Sequence, residues 1–479
     1  MESAGDVSAL VQRDNNTRAA RMTALPHPLA GEVFAAHAAR TRFTDLPEAA
    51  VRAAKIFILD SFGVGVAGST AGGAAELLSV ARGWGTGADA AVWGTRARLP
   101  APSAALLNGF QTHNQEYDCV HEGAVLHPMA TLLPAAMAWA DRQGGVSGAD
   151  LLTAVAVGVD VSTGLGVASR RGLRFFRPAT SGGFGAAAAV ARLAGLDETG
   201  ILSAFGLHYA QTSGTMQPHV EGSIALPMQV GFNSRAALSA VDLASTGLSG
   251  PRDVFEGPFG YLPLFEGAWD LAPTLASLGT IWRIAEVSHK PWPAGRGTHG
   301  GIEGIIALRE AHRFTAAEVD RVTVRGPPLI QRLCGRRATP DMMPTHARLC
   351  TPFAVAKTLL HGVVDLAHYR GEALREPAAL ALAARVEVID DGSTDENALA
   401  PQTVAVRLRD GTEHTWRCTE MLASPARPLT RAQHIAKFHR CWEFALEPLG
   451  EDRRDRLIAL VDTLETVPDV RALSALLQP

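Results

Sequence analysis

The sequence predicts a mainly α-helical fold in which a large all-helical domain is joined to a smaller α+β domain. From about residue 29 to 275, segments of about ten to twenty residues rich in Ala, Leu and Val alternate with glycine stops. Near Leu278 the pattern shifts to short valine-rich stretches bounded by Gly and Pro, which is how strands read. Over roughly the last sixty residues helical periodicity returns. The divisions read as a loosely docked or disordered polar tail over 1–25, an all-helical domain over 26–277, an α+β domain over 278–424 and C-terminal helices over 425–479.

Leu46 to Gly68 opens with Pro47 at a first-turn position and acidic Glu48. Its apolar residues then widen from one face to all round, as in a helix whose second half is buried. Gly63, Gly65, Ala67 and Gly68 let another helix come close. The segments ADLLTAVAVGVDVSTGLG, FGAAAAVARLAGL and FNSRAALSAVDLASTGL continue in this mode, the second stopping at Gly195. After TIWRIAEVSHK comes the Pro/Gly-rich loop PWPAGRGTHGG, and then IEGIIALREAHR, an amphipathic helix. Val319, Val322 and Val324 mark a strand ending at Gly326, and ARVEVIDD marks another. TVAVRLRDGTEHTWRCT reads as a hairpin turning at Asp410-Gly411. Thr430 is placed to cap PLTRAQHIAKFHRCWEFAL, and EDRRDRLIALVDTLETV is the next helix. These C-terminal helices could pack on either domain.

Composition excludes some function classes. A net charge of −4 over 479 residues provides no basic field for a polyanion, so nucleic acid is not an expected partner. The apolar runs are interrupted before the roughly 18 residues a membrane span needs, as by Pro134 and Asp141, so no membrane partner is expected either. The N-terminus lacks the apolar stretch of a signal peptide. The five cysteines, Cys119, Cys334, Cys350, Cys418 and Cys441, are odd in number and form no CxxC, which points to reduced thiols and a cytoplasmic protein.

The densest chemistry lies in HNQEYDCVHEGAVLHP, His113 to Pro128, where His113, His121 and His127 stand among Glu116, Asp118 and Glu122. In a chain only 19% charged, flanked by SAALLNGF and MATLLPAAMAWA, such a cluster is the leading candidate site over an ordinary solvated loop. Taking a proton from carbon next to a carboxylate needs a base with a carboxylate partner, and cationic groups for the charge that develops. The second loop, SHKPWPAGRGTHGG, offers Lys290, Arg296, Thr298 and His299 among glycines. His113, His121, His127 and Asp118 lack HExxH or His-x-His spacing, so no metal is expected. Cys119 beside histidines is a weak signal for a nucleophile. Neither GxGxxG after a strand, GxxxxGK[ST] nor GxSxG is present. The glycine-rich helix start at Gly182, preceded by Arg174 and Arg177, could hold an anion or simply pack closely.

ILDSFGVGVAGS, LNGFQTHNQEYDCVHEG, HPMATLLPAAMAWAD, SGGFGAAAAVARLAGLD, HKPWPAGRGTHGGIEG and PLTRAQHIAKF, in this order, resemble the MmgE/PrpD family, which includes 2-methylcitrate dehydratases, cis-aconitate decarboxylases and iminodisuccinate epimerases. The resemblance implies a homodimer, a helical domain completed by the C-terminal helices, an α+β lid, and a site between them that needs no cofactor. It aligns His127 with the family histidine before Pro, and Asp118 and Glu116 with its acidic run, Glu116 standing where Asp is usual. Lys290 aligns with the K-P-x-P lysine, and Thr298 and His299 with a Thr-His pair. Arg177 stands where the decarboxylases have a second histidine, and Leu226 where they have a lysine.

The implied activity is a cofactor-independent lyase or isomerase acting on a small di- or tricarboxylic acid by dehydration, decarboxylation or epimerisation. His127, Asp118, Lys290 and Glu116 would be catalytic, and His113, Arg177, Arg296, Thr298, His299 and His219 would bind substrate. The competing reading is a non-catalytic dimer that binds an acidic metabolite.

Overall fold

The computed structural model describes residues 28–479, so the expected tail over 1–25 lies outside the described residues. The helical domain is built on Glu48–Gly68, Ala101–Asn114, Pro128–Gln143, Gly148–Ala168, Thr180–Leu193 and Ala225–Ser245, which share one hydrophobic core. Small residues set the spacing. A Cβ on Gly185 would lie 2.4 Å from the Gly158 carbonyl oxygen, and one on Gly231 would lie 2.4 Å from that of Leu106, so these helices cross backbone to backbone. Ser147 caps Gly148–Ala168 by accepting from the Asp150 amide. That helix is long and apolar enough to cross a membrane, but 94% of its most apolar window is buried inside the protein, as in a central core helix. Pro134 does not break its helix: Pro128–Gln143 runs straight through it, because burial on all sides overrides the local penalty.

The smaller domain has its own core around a four-stranded sheet in the order Val386–Asp390, Val319–Gly326, Gln402–Leu408, Glu413–Cys418. The first pair is parallel and the other two are antiparallel, the last being the hairpin at Asp410-Gly411, where Gly411 adopts φ 91°. His299–His312 packs on this sheet. The C-terminal helices join the helical domain. Arg431–Trp442, capped by Thr430, puts Phe438 and Trp442 into the large core, and a Cβ on Gly63 would lie 2.7 Å from the Phe438 ring. The small-residue face of Glu48–Gly68 is thus the seat of the chain's far end.

Candidate active site

The His113–Pro128 stretch is a buried connection, not a solvated loop. It leaves the Ala101–Asn114 helix, pairs Val120 with Ser288 and His121 with Leu126, and ends with His127 at the N-cap of Pro128–Gln143. Glu116 and Val125 have left-handed backbones, φ 49° and 47°, a conformation that costs non-glycine residues energy and is found at constrained functional positions. Glu116 is held there from outside, because Lys290 Nζ donates both to its carbonyl oxygen (3.2 Å) and to its carboxylate (2.9 Å).

These groups form a chain of alternating charge. Asp118 Oδ2 accepts from His113 Nδ1 at 3.0 Å, His113 Nε2 lies 3.5 Å from Glu116 Oε1, and Glu116 pairs with Lys290. Burial opposes charge on His113, but Asp118 and Glu116 together raise its pKa. Burial likewise works against the Glu116 carboxylate, and Lys290 together with His113 and His127 outweighs it, bringing the pKa down to about 2. Asp118, fully buried, is held well below the usual carboxylate range by His127 and His113 against its own desolvation. His127 differs. Its Nδ1 lies 3.1 Å from Asp118 Oδ2, out of line for a hydrogen bond, and burial keeps its pKa below the ordinary imidazole value despite Asp118. It is therefore a neutral imidazole at neutral pH, 13% exposed, and Nε2 makes no hydrogen bond among the described residues.

His127 faces a cavity of roughly 60 Å³ closed on one side by Glu116, Phe176, Met216 and His219 and on the other by Gly295, Arg296, Gly297, Leu333, Cys334 and Leu349. The helical domain supplies the first set and the α+β domain the second.

The N-terminal domain profile of the MmgE/PrpD family matches residues 32–274 and the C-terminal domain profile matches residues 292–466. The chain belongs to the MmgE/PrpD family. The mouse cis-aconitate decarboxylase is 26% identical over 467 residues, 93% of each chain. The human cis-aconitate decarboxylase is 26% identical over 454 residues, 90% of this chain and 91% of the relative. A cis-aconitate decarboxylase-like protein of Aspergillus oryzae is 26% identical over 461 residues. Lys290 and the first residues of its loop lie in the interval between the two matches, residues 275–291.

Against what the MmgE/PrpD resemblance implied, the structure gathers Glu116, His127, Arg296 and His219 at the cavity wall, with Asp118, His113 and Lys290 directly behind. Arg177 is a correction. It clamps a carboxylate, but one of the protein's own: Nε and Nη2 hold Glu266, while Nη1 and Nη2 also donate to Ala124 O, Ser169 Oγ and Arg171 O. At 1% exposure and away from the cavity lining, it leaves nothing to hold a substrate.

The second loop is largely committed to itself. Arg296 donates to Glu122 Oε1 and to the carbonyls of His289 and Leu422. Thr298 Oγ1 donates to Gly295 O, and His299 Nε2 donates to Ala294 O, with burial and Arg296 holding His299 well below the ordinary imidazole pKa. Thr298 and His299 thus shape the loop and do not line the cavity. His121 pairs with Glu286 and does not line the cavity.

Leu226 packs with Ala130, Phe176, Ala179, Val230 and Leu349, so the missing lysine is replaced by plain apolar contact. For a metal, ligand atoms of His113, Asp118 and His127 come within 4.8 Å of one another, with both imidazole Nδ1 atoms against the same Asp118 oxygen.

Two groups escaped the sequence reading. Asp60 and Lys437 form a buried cluster with His289 of the second loop, Lys437 Nζ lying 2.6 Å and His289 Nε2 3.3 Å from Asp60 Oδ1, and Lys437 also donates to Tyr117 O beside Asp118. Arg336 donates to His219 Nδ1. The family motif ILDSFGVG contained Asp60, but an isolated acid in an apolar helix does not name its partner. Arg336 sits in LCGRR, where nothing local distinguishes it from a surface arginine.

Proposed function

We propose that the chain is a lyase or isomerase that takes a proton from a carbon next to a carboxylate of a small di- or tricarboxylic acid, with His127 as the base. The observation that carries this reading is a neutral imidazole facing a cavity between the two domains while its Nδ1 lies against a buried, ionised carboxylate. The negative charge of Asp118 beside Nδ1 favours the Nδ1–H tautomer, which leaves the Nε2 lone pair toward the substrate. The Lys290 ammonium, with His113 beside it whose pKa Asp118 and Glu116 raise, offsets negative charge that builds on the substrate carboxylate as the proton leaves. Loss of water, loss of CO2 or return of the proton to the other face would complete the reaction. The decarboxylase names of the relatives support carboxylic acid chemistry, while the apolar Leu226 and the occupied Arg177 argue for an acid or an outcome of its own.

The test is proton NMR of the full chain in deuterated water with hydroxy, unsaturated and amino di- and tricarboxylates. At least one acid should lose water or CO2 or exchange its α-proton, unaffected by a chelator, and His127→Gln should slow that by about 10²- to 10⁴-fold. Tight binding with neither turnover nor deuterium uptake on any acid would make this a binding protein for acidic metabolites. Full activity in His127→Gln would remove the base assignment.

A homodimer is part of the same proposal. It is supported by half-exposed Val80, Trp84, Phe232 and Leu243, with Arg235 5.3 Å over the Trp84 ring and 5.4 Å over the Phe232 ring. Light scattering at the dimer mass is the expected result.

A further inference from the structure

Among the arginines near the site, half-buried Arg336 stands apart in its partners. Arg177 is neutralised by Glu266 and Arg296 by Glu122. Arg348 donates to Gln115 Oε1 and lies 5.1 Å over the Tyr369 ring. Arg336 makes no ion pair with a carboxylate among the described residues. Its Nη2 donates to Leu333 O and to His219 Nδ1, both at 3.1 Å, and its Nη1 is buried without a hydrogen-bond partner.

Its placement is built. The residue follows the Pro328–Cys334 helix, Gly335 bridges Cys350, and the Cys350 thiol donates to the Arg336 carbonyl at 3.1 Å. The neighbours Leu333 and Cys334 line the cavity, as does His219 from the other domain.

The pairing also sets the chemistry of His219. A guanidinium can only donate, so His219 Nδ1 accepts and the ring proton sits on Nε2. Burial, with Arg336 beside it, pushes the His219 pKa down to about 3, so the ring stays neutral. Nε2 makes no hydrogen bond among the described residues. Two donors are thus left over beside the cavity that His127 faces: His219 Nε2–H in its lining, and Arg336 Nη1–H just behind His219 and next to the lining residues Leu333 and Cys334. One free guanidinium N–H group beside an imidazole N–H suits the two oxygens of a carboxylate, one oxygen to each donor.

We propose that Arg336 and His219 together receive a second carboxylate of the substrate, remote from the carbon that faces His127, and so select diacids over monoacids. This rests on the functional reading above, and it supplies from the α+β domain the cation that the helical domain lacks at Leu226.

The experiment is calorimetric titration of the full chain with succinate and with its monoamide, succinamate, alongside steady-state kinetics on whichever diacid turns over. The wild type should bind succinate at least tenfold more tightly than succinamate. Arg336→Met should erase that preference and raise KM for the diacid at least tenfold with kcat within threefold. Arg336→Lys, which keeps the charge but cannot at once hold His219 and Leu333 and donate to a ligand, should restore part of the preference. Melting temperatures report whether each variant is folded; if Arg336→Met is not, Arg336→Lys decides, its preference falling between one- and tenfold. A wild type with no preference, an Arg336→Met that keeps it, an Arg336→Met that loses affinity equally for both probes, or an Arg336→Lys no different from wild type would overturn the proposal. Failure of the base assignment shows separately, as full turnover in His127→Gln, and leaves the binding result standing.

Discussion

Glu116 and Lys290 hold each other in positions that neither would occupy alone: a left-handed carboxylate residue and a fully buried ammonium. Removing one partner leaves the other charge buried and unpaired, so Glu116→Gln and Lys290→Met should each destabilise the fold by about 3 kcal/mol. The double variant should cost clearly less than the sum, as measured by urea unfolding. The pH dependence has a definite sign. The folded-state pKa of Glu116, about 2, lies below its ordinary 4.5, so its stabilisation is complete above pH 4.5 and fades as the pH falls toward 2. Urea midpoints of the wild type should therefore drop through that window more steeply than those of Glu116→Gln. For His127, burial lowers the pKa, so the acid limb of the kcat/KM profile should lie below the ordinary imidazole value of 6.5. A limb at or above 6.5 would point to a different titrating group.

At the scale of elements, local pattern carried the reading far. The strands Val319–Gly326 and Val386–Asp390, the Asp410-Gly411 hairpin and the Thr430 cap all follow from period, turn chemistry and capping, which act over a few residues. The His113–Pro128 cluster and the Lys290 loop were legible for a similar reason, since polar density in an apolar chain is itself local. Partner choice was not legible. Arg177 reads as a free anchor until Glu266 appears beside it, because the sequence holds no record of which distant charge a side chain meets. The glycine stripes also make a quantitative claim. Gly185→Ala would push a methyl to 2.4 Å from the Gly158 carbonyl oxygen and should cost about 3 kcal/mol in unfolding experiments. Gly72→Ala, with nothing within 4 Å of the new Cβ, should stay within about 0.5 kcal/mol of wild type.

Across the whole molecule, a cavity of roughly 60 Å³ is far below the roughly 300 Å³ at which ligand pockets usually begin, so the two domains must part to admit an acid. Backbone amides of Gly295–Gly297 and of 333–336 should exchange with deuterium more slowly once a substrate or inhibitor is bound. Unchanged exchange there would mean that entry takes another route. The Asp60–Lys437–His289 cluster ties three regions together: the Glu48–Gly68 helix, the C-terminal Arg431–Trp442 helix and the residue before Lys290. Lys437→Met should destabilise the protein by about 3 kcal/mol and also slow turnover, because Lys437 holds the Tyr117 carbonyl next to Asp118.

That cluster also places the protein's activity in time. Asp60 leaves the ribosome early, and its cation Lys437 arrives only after nearly all of the intervening chain has been made. Until then a carboxylate destined for a dry core has no ammonium to meet it, and the stripe at Gly63 awaits Phe438. A nascent chain stalled before residue 431 should therefore hold its helical domain open to protease and show no turnover, and release of the last helix should close both at once.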